Sequence, residues 1–397
     1  MAASAGQAFH RFSHGHQDLV LAVDYNFYGT RMVTASSDHK LKVWDRQESS
    51  SDSWIVTDVW TAHDAEVTDV KWNGPFVGSI LASVAEDGLL RIWQEDLLEP
   101  PNSGRRFKKI YEQLSPTRVP YVSLDFKSLA TETYLAAISR DGHLTIAEPL
   151  DHDDLSDWHI LWQDYLCKTP SRTDETGFSV AWHKERLPAW PAVLAGLDRR
   201  SLSLAVAVMD TVKIFRTDKD RKFYAAAELA APVVVGGAST HRRALVRHVA
   251  WANGSMRGFD TLATACKDGF IRVYDLHTPG VDPASSAPVA PSASWTAELA
   301  RAPSGGNKPV RSGIGAGLAG GPRGGRVDDE NRPGKVVQEA RLVAELSAHD
   351  GAVWRVAFSQ MGDVLVSTGD DGLVYVWKKD VNLQWTQYAE IDATKQD

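Results

Sequence analysis

A short pattern recurs six times along this chain: an aspartate at a tight turn, then an apolar segment that usually ends in an aromatic residue. The six copies are SSDHKLKVWD (36–45), AEDGLLRIWQ (85–94), SRDGHLTIAE (139–148), VMDTVKIFR (208–216), CKDGFIRVYD (266–275) and DDGLVYVWKK (370–379). A repeat of this size is one supersecondary unit that cannot bury its apolar face alone, so the copies must stack on one another. The pattern therefore predicts one large repeat architecture.

Four of the six units also contain an upstream histidine and a hydroxyl residue four positions before the turn aspartate. These sets are His16, Thr34, Asp38 and Trp44; His63, Ser83, Asp87 and Trp93; His241, Thr264, Asp268 and Tyr274; and His349, Ser367, Asp371 and Trp377. The third and fourth units have Ala137 and Val206 at the hydroxyl position, and they also lack the histidine and the tryptophan. Buried indole, imidazole and hydroxyl groups all need hydrogen-bond partners. The sets therefore indicate structural clusters, and their repetition disfavours catalytic His–Asp dyads.

Alternating and continuously apolar segments around these anchors predict four strands in each unit. The expected fold is an all-β, six-bladed β-propeller that forms a single domain from 1–278 and 336–397. Its blades are expected at about 16–60, 63–113, 120–165, 177–229, 241–346 and 349–391. Residues 279–335 contain 11 Gly and 8 Pro among 57 residues, and we expect a disordered insertion within blade five.

Composition excludes several function classes. The net charge of −8 disfavours a nucleic-acid binder with a basic face, and two cysteines 99 residues apart disfavour a disulfide framework or a thiolate zinc site. The acidic segment DHDDLSDWH (151–159) is interpreted as a solvated loop rather than a metal cluster. A formal G-x-G-x-x-G at 315–320 has no flanking strand and helix, so it does not indicate a dinucleotide site. We expect no catalytic, metal or cofactor-binding residues, no membrane span and no enzymatic activity.

The Asp–His–Ser/Thr–Trp clusters resemble those of the WD-repeat β-propeller family. The segments 18–45, 62–95, 106–114, 154–163 and 177–183 resemble more specifically the WD-repeat nucleoporins of the Y-shaped outer-ring scaffold, homologues of the COPII cage propeller Sec-thirteen. The resemblance implies an open six-bladed ring, completed in trans when an α-solenoid nucleoporin inserts a three-stranded seventh blade. It also implies other Y-complex scaffold nucleoporins as partners, with no direct contact to nucleic acid and no membrane insertion.

The resemblance further implies a place at the nuclear envelope, within the nuclear pore complex, and a role in pore assembly and hence in transport of mRNA and protein. Membership of a vacuole-associated coat-like complex that regulates nutrient (TOR) signalling, at the vacuole periphery and in the cytoplasm, is a second implied role. Two alternatives stay open: the COPII vesicle-coat cage propeller itself, and a WD40 module that binds a peptide or histone tail at the channel mouth.

The tail at 383–391 can supply the last strand of blade six, which leaves blades one and six facing each other unsealed. Strand alternation predicts a partner interface there, formed by Leu19, Leu21, Val23 and Tyr25 on blade one and by Val353, Val356 and Phe358 on blade six. A closing strand within the first 15 residues is the alternative.

Overall fold

The computed structural model describes residues 12–47, 54–171, 173–231, 243–253, 259–281 and 334–392. In this part of the chain, the strands form six four-stranded antiparallel sheets, each built from four consecutive strands. The sheets are the blades of a six-bladed propeller, which confirms the predicted all-β fold class. The 52 residues at 282–333, which include most of the predicted insertion and the glycines at 315–320, lie outside the described residues.

The strands of the first three blades are β1 (Val20–Tyr25), β2 (Arg31–Ser36), β3 (Lys40–Arg46) and β4 (Trp54–Thr61); β5 (Val67–Trp72), β6 (Ile80–Ala85), β7 (Leu89–Glu95) and β8 (Phe107–Leu114); and β9 (Tyr121–Ser128), β10 (Thr133–Ser139), β11 (His143–Asp151) and β12 (Asp154–Tyr165). Those of the last three are β13 (Phe178–Trp182), β14 (Ser203–Val208), β15 (Thr211–Thr217) and β16 (Phe223–Ala230); β17 (Val246–Trp251), β18 (Asp260–Cys266), β19 (Phe270–His277) and β20 (Glu339–Ser347); and β21 (Val353–Phe358), β22 (Val364–Gly369), β23 (Leu373–Lys379) and β24 (Trp385–Asp392).

The repeated aspartate shapes the turn between the second and third strands of a blade. In blade two, Asp87 Oδ1 accepts the backbone N–H of Leu89 at 2.9 Å, which closes a turn that the side chain itself stabilises. Gly88 lies inside this turn with φ +78°, a left-handed conformation that glycine adopts without steric cost. Blade one places His39 at the corresponding position with φ +68°, so this turn carries backbone strain that its counterpart in blade two avoids.

Neighbouring blades are joined by apolar cores. Each of five cores combines one face of a blade with the opposite face of the next, in chain order from blade one to blade six. The core between blades one and two, for example, joins Val33 and Val43 of blade one to Leu81 and Trp93 of blade two. Burial of these apolar surfaces is the main force that holds the blades in a ring.

The connection between β13 and β14 contains a one-turn helix, α1 (Trp190–Leu194). Ala192 on α1 and Leu197 after it form a small apolar cluster with Val336, which lies just before β20. This cluster attaches the start of the outer strand of blade five to blade four. No helix formed by the described residues is long and apolar enough to cross a membrane.

Candidate functional site: the seam between blades one and six

The predicted hydrogen-bond clusters lie within individual blades. In blade two, His63 Nδ1 is 3.0 Å from Asp87 Oδ2, His63 Nε2 is 2.8 Å from Ser83 Oγ, and Trp93 donates its indole N–H to the same hydroxyl oxygen at 2.9 Å. The same three contacts occur in blade one at 2.9, 2.9 and 3.1 Å and in blade six at 3.0, 2.9 and 3.0 Å, among His16, Asp38, Thr34 and Trp44 and among His349, Asp371, Ser367 and Trp377. Each hydroxyl group is therefore held between an imidazole and an indole.

The electrostatics of these clusters suit a structural role. Burial alone would raise the pKa of Asp87, but hydrogen bonds from His63 and from the backbone N–H of Leu89 lower it below its ordinary value. The pKa values of Asp38 and Asp371 are lowered in the same way. Burial lowers the pKa of His16, which favours its neutral form. A neutral imidazole between a carboxylate and a hydroxyl satisfies every polar group in the cluster.

The fifth set is arranged differently. His241 lies outside the described residues, so its place in blade five is not described. Asp268 instead pairs with Arg272, whose Nη2 donates to Oδ2 at 2.6 Å. Thr264 donates its hydroxyl to the backbone carbonyl of Arg272 at 3.4 Å, and Tyr274 is buried in the core between blades four and five. An arginine four residues after the turn aspartate thus neutralises that carboxylate.

Around the axis, polar side chains of the inner strands bind the backbone of the following blade. Asp69 Oδ2 of blade two accepts the N–H of Leu124 in blade three at 3.1 Å. Equivalent contacts are made by Asp24 with Trp72 N at 2.7 Å, by Asp125 with Trp182 N at 2.8 Å and by Ser179 with Val249 N at 3.4 Å. These hydrogen bonds all run from one blade to the next in chain order, from blade one to blade five, and they complement the apolar cores.

The Asp and Ser acceptors of this series are not repeated in the last two blades: blade five has His248 and Ala250 at these positions, and blade six has Arg355 and Ala357. Arg355 lies three residues before Phe358, as Asp69 lies three before Trp72, but a guanidinium has no acceptor to offer. Its Nη2 donates to the backbone carbonyl of Leu21 in blade one at 3.2 Å, and its Nη1 lies 3.6 Å from Asp69. The seam is therefore bridged at its axial end by one arginine.

The rest of the seam has no apolar core. Within the described part of the chain, none of the apolar clusters joins blade six to blade one, and β21 and β1 pack far less closely than any other neighbouring pair of inner strands. On blade one, Val23 and Tyr25 are 42% and 51% exposed. Residues 12–19 contain no strand; the ring of Phe12 instead packs edge-on against Trp44, with 5.3 Å between centroids. Residues 1–11 lie outside the described residues.

The structure corrects several of the predicted interface residues. Val353 and Val356 are fully buried between blades five and six, and Phe358 packs against the same cluster, so none of the three lines the seam. These three residues face blade five rather than blade one, because the equivalent positions of each inner strand face the preceding blade. On β1, a register shift between Val20 and Ala22 interrupts the strict alternation that grouped Leu19 and Leu21 with Val23 and Tyr25. Leu19 is exposed and Leu21 is half-buried.

A buried ionic network that the sequence analysis missed connects blades four and five. Arg216 donates to Asp260 Oδ2 at 2.6 Å, to Ser203 Oγ at 2.6 Å and to Gln338 Oε1 at 2.8 Å. His183 Nε2 lies 3.6 Å from Asp260 Oδ1. All five side chains are almost inaccessible to solvent. The network orders the residues that precede β20, and its only signal in the sequence is an arginine in the apolar segment TVKIFRT.

The acidic segment 151–159 does not form the predicted solvated loop, because only His152 and Asp153 lie between β11 and β12 and its other residues belong to these strands. Asp151 and Asp154 pair across the turn of the β11–β12 hairpin, and His152 Nδ1 accepts the backbone N–H of Thr133 at 3.1 Å. Among the residues that the structure describes, no group of three or more His, Cys, Asp or Glu side chains could hold a metal ion. The seam is therefore the feature of this part of the molecule that distinguishes it from a closed structural ring.

Comparison with known proteins agrees with the architecture. The model of the WD domain, G-beta repeat, matches residues 7–45, 54–94 and 340–378. Nucleoporin SEH1 of Saccharomyces cerevisiae is 28% identical over 371 residues, which cover 92% of this chain and 94% of that protein. Nucleoporin seh1 of Schizosaccharomyces pombe is 27% identical over 364 residues, with 91% and 90% covered. Nucleoporin SEH1 of Homo sapiens is 28% identical over 373 residues, with 93% and 84% covered.

The matches extend over nearly the whole length of these relatives and over the first two and the last of the repeats identified from the sequence. The chain is a WD-repeat β-propeller whose curated homologues are nucleoporins named SEH1.

Proposed function

We propose that this protein is a scaffold subunit of the outer ring of the nuclear pore complex, in which its open propeller is completed by a β-segment of an α-solenoid nucleoporin. The observation that carries the proposal is the seam: five junctions between blades have an apolar core, whereas blades six and one are bridged by Arg355. Its homologues named as nucleoporins support the assignment to the pore.

Completion in trans has a simple physical basis. Val23 and Tyr25 of blade one are exposed where the corresponding residues of other blades are covered by a neighbour. A sheet inserted between blades one and six would bury these side chains and the facing surface of blade six, at about 25 cal/mol for each Å² of apolar surface removed from water. The inserted strands would be held by the same face-to-face packing that joins the other blades.

In this role the protein contributes to pore assembly and hence to nucleocytoplasmic transport of mRNA and protein, at the nuclear envelope and together with other Y-complex nucleoporins. Use of the same seam in a vacuole-associated coat-like complex that regulates nutrient (TOR) signalling is part of the proposal. With a net charge of −8, the chain is not expected to bind nucleic acid directly.

The test is co-expression with the α-solenoid nucleoporin of the same organism, followed by gel filtration. We expect a stoichiometric complex, which Val366→Asp in the seam abolishes. The matched control is Leu161→Asp on β12, also a partly exposed apolar residue but on blade three. Circular dichroism checks that both variants fold. The seam would be refuted as the binding site if Val366→Asp still formed the complex, whether or not Leu161→Asp lost it.

The two alternatives make different predictions. A COPII cage propeller would co-purify with the solenoid subunit of that coat and support vesicle budding. A peptide reader would need unpaired charged groups in the channel, but Asp24, Asp69 and Asp125 already bind the backbone of neighbouring blades. Titration with a basic histone-tail peptide should therefore show no saturable binding.

A further inference from the structure

The surface that blade six turns toward the seam has a counterpart at every other junction. In blade five, the corresponding surface is the row Ala250, Ala263, Val273 and Ala344, paired across four strands. In blade six, the equivalent row is Ala357, Val366, Val376 and Ala389. Both rows consist of alanine and valine, so the two blades present walls of small side chains with the same register.

The walls of blade five and blade six differ in the side chains that cover them. The blade-five wall lies beneath large side chains of blade six, namely Leu365, Tyr375 and Trp377, and both Ala263 and Val273 are completely buried. Val366 and Val376 are only half-buried, because no apolar cluster of the described residues covers them. The blade-six wall is therefore a continuation of the ring of inter-blade surfaces that lacks the large-residue layer present at the other five junctions.

The two sides of the seam are not equivalent. Blade one turns its large residues toward the seam, and Trp44 among them is covered by Phe12. Blade six offers small residues, and next to them the Arg355 guanidinium, which donates to the carbonyl of Leu21. A strand that entered beside β21 would bring backbone carbonyls to this donor, so the charge of the seam also suits a β-strand.

We propose that the blade-six wall, formed by Ala357, Val366, Val376 and Ala389, is a socket for a β-sheet whose facing residues are large and apolar, with an aromatic residue over Val376. This inference rests on the proposed function in that the sheet is supplied by the partner, and it specifies the chemistry of that sheet. Small facing residues would leave voids, which a close-packed junction does not tolerate.

The test supplies the missing sheet from the chain itself. A second copy of residues 63–95, which contains β5, β6 and β7 with Leu81 and Trp93, is fused after residue 397 of the full-length protein. The matched fusion carries Leu81→Ala and Trp93→Ala in the appended copy alone. Each fusion also carries Val376→Cys, and its rate of maleimide labelling is measured. The labelling rate of the same fusion without Val376→Cys is subtracted, because the chain has two native cysteines. Val273→Cys, at the equivalent buried position of blade five, is the reference for a covered wall.

We expect the appended copy with large residues to slow labelling of Val376→Cys by about tenfold or more, toward the rate of Val273→Cys, and the copy with alanines to leave it within about twofold. Equal protection by both copies would overturn the size requirement, and protection by neither would overturn the socket. The natural partner separates this inference from the proposed function. If that partner protects Val376→Cys yet binds Val376→Trp as well as wild type, completion in trans stands and the large-residue socket is refuted.

Discussion

His183 offers a direct test of how burial governs the stability of this propeller. The side chain is buried between blades four and five, with its ring 5.3 Å from that of Trp251. Burial, opposed by the Asp260 carboxylate and reinforced by the nearby cations Lys127 and Arg216, lowers its pKa to about 4. The perturbation is His183→Asn. His183 follows the inner-strand Trp182, and in blade two an asparagine, Asn73, follows the equivalent Trp72.

The sign and size follow from the two pKa values. The ordinary histidine pKa of 6.5 applies to the unfolded chain, whereas the folded value is about 4. Between these values the unfolded state binds the proton and the folded state does not, so stability is full above pH 6.5 and falls as the pH decreases toward 4. At pH 5, about 1.5 units below 6.5, His183 alone should reduce the free energy of unfolding by about 2 kcal/mol relative to pH 7.5.

The assay is urea denaturation at pH 7.5 and pH 5.0, followed by tryptophan fluorescence. From pH 7.5 to pH 5.0, the free energy of unfolding of His183→Asn should fall by about 2 kcal/mol less than that of wild type. This difference does not depend on the stability of the variant at pH 7.5. The control is Val180→Ala, a buried substitution on β13, the strand that ends just before His183; it does not titrate and should lower stability equally at both pH values. If wild type and His183→Asn show the same pH dependence, the histidine is not held neutral in the fold and the reasoning fails.

Four further predictions test other parts of the fold. Trp93→Ala should cost about 3–5 kcal/mol in chemical denaturation, since it empties part of a core and removes a donor to Ser83, whereas Ala147→Ser at the equivalent site of blade three should cost far less. His39→Gly should raise stability by up to about 1 kcal/mol, because it relieves the left-handed turn. Asp260→Asn should cost about 3–5 kcal/mol in the same assay, since it leaves Arg216 buried without its counter-charge. Replacement of residues 282–333 by a short Gly/Ser linker should shift the melting temperature by no more than about 2 °C, because closure entropy varies slowly with loop length.

The fold could be predicted because each residue type in the repeat has a local physical reason for its position. A turn aspartate that closes on the next backbone N–H, a glycine at positive φ and an indole that needs an acceptor leave the same pattern wherever they occur, as at Asp87, Gly88 and Trp93. The network around Arg216 could not be predicted in this way. Its members come from three strands and two loops, and they occur once, so no periodicity marks them.

The seam shows why side-chain periodicity does not by itself identify an interface. Val366 and Val376 have the same residue types and spacing as the buried wall of blade five, and a sequence pattern records only which face of a strand is apolar. Whether that face is covered depends on the number of blades that follow, a property of the assembled ring. Val353 and Val356, which alternation assigned to the seam, face blade five, where they pack in one cluster with Leu365, Tyr375 and Trp377. Val366 and Val376 lie on the other face of blade six, where no apolar cluster of the described residues covers them, so one repeated pattern produces a buried face at one junction and a half-buried face at another.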